Sequence, residues 1–255
     1  MNQATSVSTP APMTGANGRG VLEGAFALLR AVERAEGARL TRLAAECGLP
    51  KTTAYRLLEQ LIELGAVQRS GVGYGIGPRV YQLGQRWQPF PGLRTAAREP
   101  ARRLAAATGM AVGLNVLWQG QTLVLDWTPG RAASIGSPGS PDSPDSPDSP
   151  DTEATWPWYT AAGKVLVAGA HPGLPLGPLP AVWQREAEAI RDLGAAFDRE
   201  GVLAGVCCVA VPLYGRDRAP IAALSVLTDP SHHLERLADT ARRAGAAISS
   251  ALGHR

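Results

Sequence analysis

The chain has 255 residues, a net charge of +3 and 45% hydrophobic content, enough for one large domain or two ordinary ones. No apolar run reaches the roughly 18 residues of a membrane-spanning helix. Residues 1–20 hold no apolar block, so they are expected as a disordered tail rather than a secretory signal. Three cysteines, Cys47, Cys207 and Cys208, suit neither a disulfide framework nor an all-cysteine zinc site. The expected setting is the cytoplasm, with reduced thiols.

The charge is unevenly spread. Residues 1–100 carry 12 basic and 7 acidic side chains, a balance of +5, and the remainder balances to −2. A basic first part suits a phosphate backbone as partner.

In chain order, Val21 to Glu33 has helical periodicity, with Leu22, Phe26, Leu29 and Val32 as its expected buried stripe. A short helix follows over Leu40 to Cys47, with Thr41 as its N-cap and Leu43, Ala44 and Cys47 inward. Gly48-Leu49-Pro50 is a tight turn, and Pro50 suits the first position of a third helix running to Leu64. Ala54, Leu57, Leu58, Leu61 and Ile62 are that helix's apolar stripe, and Gly65 closes it. Val67 to Ile76 then switches to strand alternation around Ser70 to Gly73, the pattern of a hairpin. This order is that of a winged helix-turn-helix.

Val80 to Trp87 is helical, and Pro89 and Pro91 then break the chain. The expected division is a tail (1–20), a winged helix-turn-helix (21–80), a linker helix region (81–98) and a second domain (99–255). A helix from Leu93 to Ala107 buries Leu93, Ala97, Ala101, Leu104 and Ala105. Strands follow at Ala111 to Leu117 and Thr122 to Asp126. Residues 137–155, with Ser-Pro-Asp repeated from Ser140 to Asp151, form a solvated, disordered insertion. Helices over Ala162 to Ala170 and Trp183 to Glu200, strands over Val206 to Leu213 and Ile221 to Leu227, and a helix from His233 to Leu252 complete an α+β domain with an antiparallel sheet.

The segment from Leu40 to Leu61 carries the functional argument. A reading helix needs one apolar face and short polar or basic side chains at the end that enters the major groove, about 12 Å wide. Lys51, Thr52, Thr53, Tyr55 and Arg56 meet that need. Arg56 has the reach for guanine O6 and N7, Lys51 suits a phosphate, Thr41 and Arg42 lie where phosphates pass, and Arg69 belongs to the wing.

This segment resembles the helix-turn-helix of the IclR family of bacterial transcription regulators. The likeness extends through Leu64 to Val67, Tyr74 to Arg79, Leu83-Gly84, Ala107 to Val116, Thr160 to Lys164, Gly205 to Pro212 and Ala222 to Val226. Trp158, Cys207 and Asn115 depart from the family pattern, which has His, Arg and a small apolar residue there. The resemblance implies a GAF-like second domain that binds a small effector, a carboxylate by the chemistry of its pocket. Residues matching that pocket are Thr160, Ala161, Ala162, Gly163, Asp198, Glu200 and Cys208, and Asp126 ends a strand that could border it. Thr160 to Gly163 would open a helix, whose free N–H groups suit an anion.

No nucleophile elbow, Cys/His pairing or phosphate-cradling glycine loop is present, so neither enzyme activity nor a cofactor is expected. His171, His232, His233 and His254 lack further ligands at metal spacing, so no metal is expected. The expected protein is an effector-controlled repressor or activator acting on a palindromic operator as a homodimer or tetramer, with no membrane partner. The alternatives are an enzyme, or a protein-interaction module, on the α+β domain beside a vestigial DNA-binding module.

Overall fold

The computed structural model describes residues 20–131, 155–169, 176, 179–217 and 219–253. It has two compact units, one ending at Arg86 and the other beginning at Trp87.

The first unit comprises α1 (Val21–Arg34), α2 (Leu40–Glu46), α3 (Lys51–Glu63), β1 (Val67–Ser70), β2 (Gly73–Ile76) and α4 (Pro78–Arg86). Its core joins Leu28, Ala31 and Val32 of α1 to Leu43 and Ala44 of α2 and to Ala54, Leu57, Leu58 and Leu61 of α3. Antiparallel β1 and β2 close it, with Val67 and Tyr74 inward and Tyr74 bridged to Ala38.

Three local expectations change. Of the expected α1 stripe, Val32 is buried and Leu29 packs against the core, but Leu22 and Phe26 are 75% and 65% exposed, and Gly24, Leu28 and Ala31 take their place inward. The close packing of Gly24 against Leu57 and Leu49 sets that rotation. Thr41 is not an N-cap: α2 begins at Leu40, Arg39 occupies the cap position without a side-chain bond, and Thr41 lies in the first turn. Pro50 is the N-cap of α3 rather than its first helical residue.

The second unit comprises α5 (Leu93–Thr108), β3 (Ala111–Trp118), β4 (Gln121–Thr128), β5 (Thr155–Pro157), α6 (Ala161–Ala168), α7 (Trp183–Leu193), β6 (Ala196–Arg199), β7 (Cys207–Tyr214), β8 (Pro220–Thr228) and α8 (Leu234–Gly253). The strands form one antiparallel sheet in the order β5-β4-β3-β8-β7-β6. Leu104 of α5 and Ile248 of α8 pack with Val112, Val209 and Leu224 against one face. Val165 of α6 and Trp183 and Ile190 of α7 pack with Ala210 and Ala223 against the other. The buried residues of α5 are the five that its periodicity picks out.

Trp183 to Glu200 is not one helix. Gly194 takes φ +64, donates its N–H to Ile190 O and ends α7. A left-handed residue favours glycine and stops a helix. Ala196 to Arg199 then pair with Cys207 to Ala210 as β6, a strand that non-local pairing creates. Residues 137–154 of the insertion lie outside the described residues, and Thr155 begins β5. No helix among the described residues is long and apolar enough to cross a membrane.

Candidate DNA-reading helix and effector site

The leading edge of α3 is a product of its core stripe. Ala54, Leu57, Leu58 and Leu61 are inward, which turns Lys51, Thr52, Tyr55 and Arg56 outward and leaves Thr53 half-buried. Pro50 gives no side-chain cap, and no acidic residue lies in the first turn. The free N–H groups and positive end of the helix dipole therefore face out beside Lys51. Lys51, Arg56 and the exposed Arg42 of α2 form no ion pair among the described residues, whereas Arg34 is held by Glu46 at 2.8 Å. Thr41 is exposed on the same short helix as Arg42. In the hairpin, Arg69 is paired with Glu59 of α3 and lies 5.5 Å from the centroid of Tyr74.

The second candidate site lies on the face of the sheet covered by α6. Thr160 caps α6: its Oγ1 accepts the Gly163 N–H at 3.1 Å and lies 3.4 Å from Thr122 Oγ1. Lys164 N–H donates to Thr160 O at 2.8 Å, so the N–H groups of Ala161 and Ala162 are those left for an anion. The Lys164 ammonium is occupied by Glu186 of α7 at 2.7 Å.

Strand alternation places Cys208 and Asp198, which are cross-strand partners, on this face beside Ala210 and Ala196. Asp198 Oδ1 accepts the Gly201 N–H at 2.9 Å, and Glu200, at φ 57, accepts that of Gly205 at 3.3 Å. Both carboxylates therefore shape the β6–β7 turn. Glu200 is exposed, while Asp198 is half-buried beside Cys208.

Asp126 is not brought to this site. A register shift between Leu114 and Asn115 pairs Asp126 with Leu114, whose side chain packs with α5. A one-residue slip reverses the face a side chain takes. Asp126 lines a separate cavity with Arg98 and Arg102 of α5.

Two groups beyond the expected set belong to the α6 face. Asn115, 4% exposed, donates from Nδ2 to Ser225 Oγ at 2.8 Å and to Ala223 O at 3.4 Å. A lone Asn within an apolar strand was the sequence signal for it. Trp158 packs edge-on against Trp183 with centroids 4.9 Å apart, a pairing between distant residues that periodicity does not reveal. Among the described residues no three metal-ligating side chains cluster; His171 and His254 lie outside them.

The Cys208 thiol is pushed well above its ordinary range by burial, with the Asp198 charge and Cys207 adding to it. Only the unfolded chain therefore ionises this thiol as pH rises past the ordinary value of 9.0, so its stabilising contribution is lost above that pH. Iodoacetamide at pH 8 is expected to leave Cys208 unmodified in the native chain and to alkylate it in urea, as peptide mass spectrometry would record. Fast native labelling would contradict this placement.

Two family profiles match the chain: the IclR helix-turn-helix domain over residues 21–71 and the bacterial transcriptional regulator IclR C-terminal region over residues 180–250. The acetate operon repressor of Salmonella typhimurium is 27% identical over 230 residues, covering 86% of this chain and 82% of that protein. The HTH-type transcriptional regulator XynR of Escherichia coli is 26% identical over 243 residues, covering 87% and 92%. Among solved structures, the Thermotoga maritima IclR has a TM-score of 0.69 at 24% identity, over 91% of this chain and 98% of that one. An IclR homolog from Microbacterium hydrocarbonoxydans complexed with 4-hydroxybenzoate has a TM-score of 0.75 at 19% identity, over 92% and 100%. Both share the fold.

Proposed function

The chain belongs to the IclR family of bacterial DNA-binding transcription regulators, and on that premise we propose how it reads DNA and what controls it. The observation that carries the reading is the outward, uncapped edge of α3, with Lys51 and Arg56 in no ion pair among the described residues. Residues 21–80 are the DNA-binding domain. Helix α3 enters the major groove, Arg56 reads a guanine, and Thr52, Thr53 and Tyr55 line the base edges. Lys51, Arg42 and Thr41 hold phosphates. Arg69 reaches DNA from the wing by exchanging Glu59 for a phosphate.

The working unit is a homodimer in the cytoplasm on a palindromic site, or a tetramer built from such dimers. Val21, Leu22 and Phe26 of α1 are 64%, 75% and 65% exposed, and Tyr81 and Leu83 of α4 are also bare; exposed apolar side chains gathered on one helix suit an interface. A two-fold axis through that surface would give each half-site its own α3. In sedimentation equilibrium the double substitution Leu22→Glu, Phe26→Glu is expected to weaken self-association at least tenfold without unfolding the chain. Undiminished association would place the interface elsewhere.

The second unit is the effector domain and has no catalytic task. The N–H groups of Ala161 and Ala162 bind the carboxylate of a small organic acid, with Asn115 and Cys208 beneath it. The relative that holds 4-hydroxybenzoate supports an acid of that chemical kind. Coupling of about 1–3 kcal/mol between effector and operator is enough for control. Gel shift with a panel of small carboxylates is the test: one or more should change operator affinity. A panel without effect would sink the effector assignment.

A further inference from the structure

We infer that this chain has a second small-anion site, on the α5 side of the effector unit and separate from the α6 face. It is a cavity of about 550 Å³ at the end of β4, lined among others by Arg98, Arg102, Asp126, Trp127 and Arg131. That volume is in the range of small-ligand pockets.

Its charge is the unusual feature. Three guanidinium groups and one carboxylate line one concavity. Arg98 and Arg102 stand one helical turn apart, where like charges repel. Their neighbour Arg103 is paired with Glu99 at 2.9 Å, yet Arg98, Arg102 and Arg131 have no ion pair among the described residues. Asp126 does not relieve them: its Oδ1 accepts the N–H of Trp127 at 2.9 Å, and among the described residues it too forms no ion pair. A concave site with surplus positive charge concentrates anions. Guanidinium forks match planar carboxylates and phosphates in particular.

The ligand class is therefore a small molecule with at least two negative charges, a di- or tricarboxylate or a phosphate. Asp126 tunes the site against tighter binding, since its charge opposes the ligand's. The β3–β4 register shift builds the site, because it turns Asp126 to the α5 side.

Isothermal titration of the full chain with citrate, and separately with inorganic phosphate, tests this without DNA, so its outcome is independent of the regulator reading. The expected result is saturable binding of at least one anion, weakened tenfold or more in Arg98→Gln, Arg102→Gln. Asp126→Asn should strengthen it several-fold, and Arg185→Gln, on the exposed side of α7, should leave it unchanged. Preference between the two probes distinguishes a carboxylate ligand from a phosphoryl one. The substituted arginines are exposed, so the variants keep the fold. No saturable binding of either anion, or binding indifferent to Arg98→Gln, Arg102→Gln, overturns the proposal.

Discussion

Gly163→Ala is expected to destabilise the second unit by about 3 kcal/mol, at the upper end of ordinary overpacking costs. A Cβ at this position would lie 2.1 Å from Trp158 O, 2.6 Å from Trp158 C and 2.5 Å from Thr122 Oγ1. Two of those atoms are backbone, and Thr122 is buried beneath the cap, so no side-chain rotation removes the clash. Helix α6 would have to slide off the sheet and lose the packing of Ala161, Val165 and Leu166. Calorimetry is the check, with a fall of roughly 2–4 °C per kcal/mol for a unit of this size. Gly109→Ala is the contrast. Gly109 has φ +75 with open space around its would-be Cβ, so only conformational strain of about 1–2 kcal/mol applies. Equal melting temperatures for Gly163→Ala and the parent chain would mean that α6 does not seat on Trp158 as described. The glycine that resembled a ligand-binding turn is thus needed first for packing.

Arg56→Ala is expected to weaken operator binding by about 1–3 kcal/mol, roughly 5- to 150-fold, and to relax preference at one base pair of each half-site. The guanidinium is solvent-facing and free of ion pairs among the described residues, so the folded state loses no charge partner on truncation. Lys51→Gln should behave differently. Its loss should weaken all sequences alike and lower the salt slope by about 1, as one phosphate contact predicts. Fluorescence anisotropy over 50–200 mM salt separates the two. If Arg56→Ala keeps both affinity and preference, α3 is not the reading helix.

Much of this was legible in the sequence where one apolar face alone decides a helix. Helices α2, α3 and α5 are of that kind, and the buried residues of α5 match the expected stripe throughout. Helix α1 is not. It has two apolar faces, and weight by size favours Leu22 and Phe26, whereas the core takes the smaller Gly24 and Ala31 with Leu28 and Val32. Residues 196–199 looked helical because nothing local marks them as strand; their partners are Cys207 to Ala210. Asp126 was misplaced because an extra residue in β4 breaks the period-2 rule, and that irregularity leaves no compositional trace. The polar side chains of α3 could be found from local pattern, and the cap of α6 from the family resemblance, since local periodicity began that helix at Ala162. The Asn115–Ser225 bond and the Trp158–Trp183 pair could not, because each joins segments distant in sequence.

If the N-terminal edge of α3 occupies the major groove in two symmetric half-sites, as proposed, dimethyl sulfate interference will show it, because the reagent marks guanine N7 in the major groove and adenine N3 in the minor groove. The full chain would be bound to a genomic operator fragment selected with it. Methylated guanine N7 should block binding at two clusters about 10–10.5 bp apart or a multiple of that spacing. Interference at adenine N3 alone, with guanine N7 methylation tolerated throughout, would contradict it.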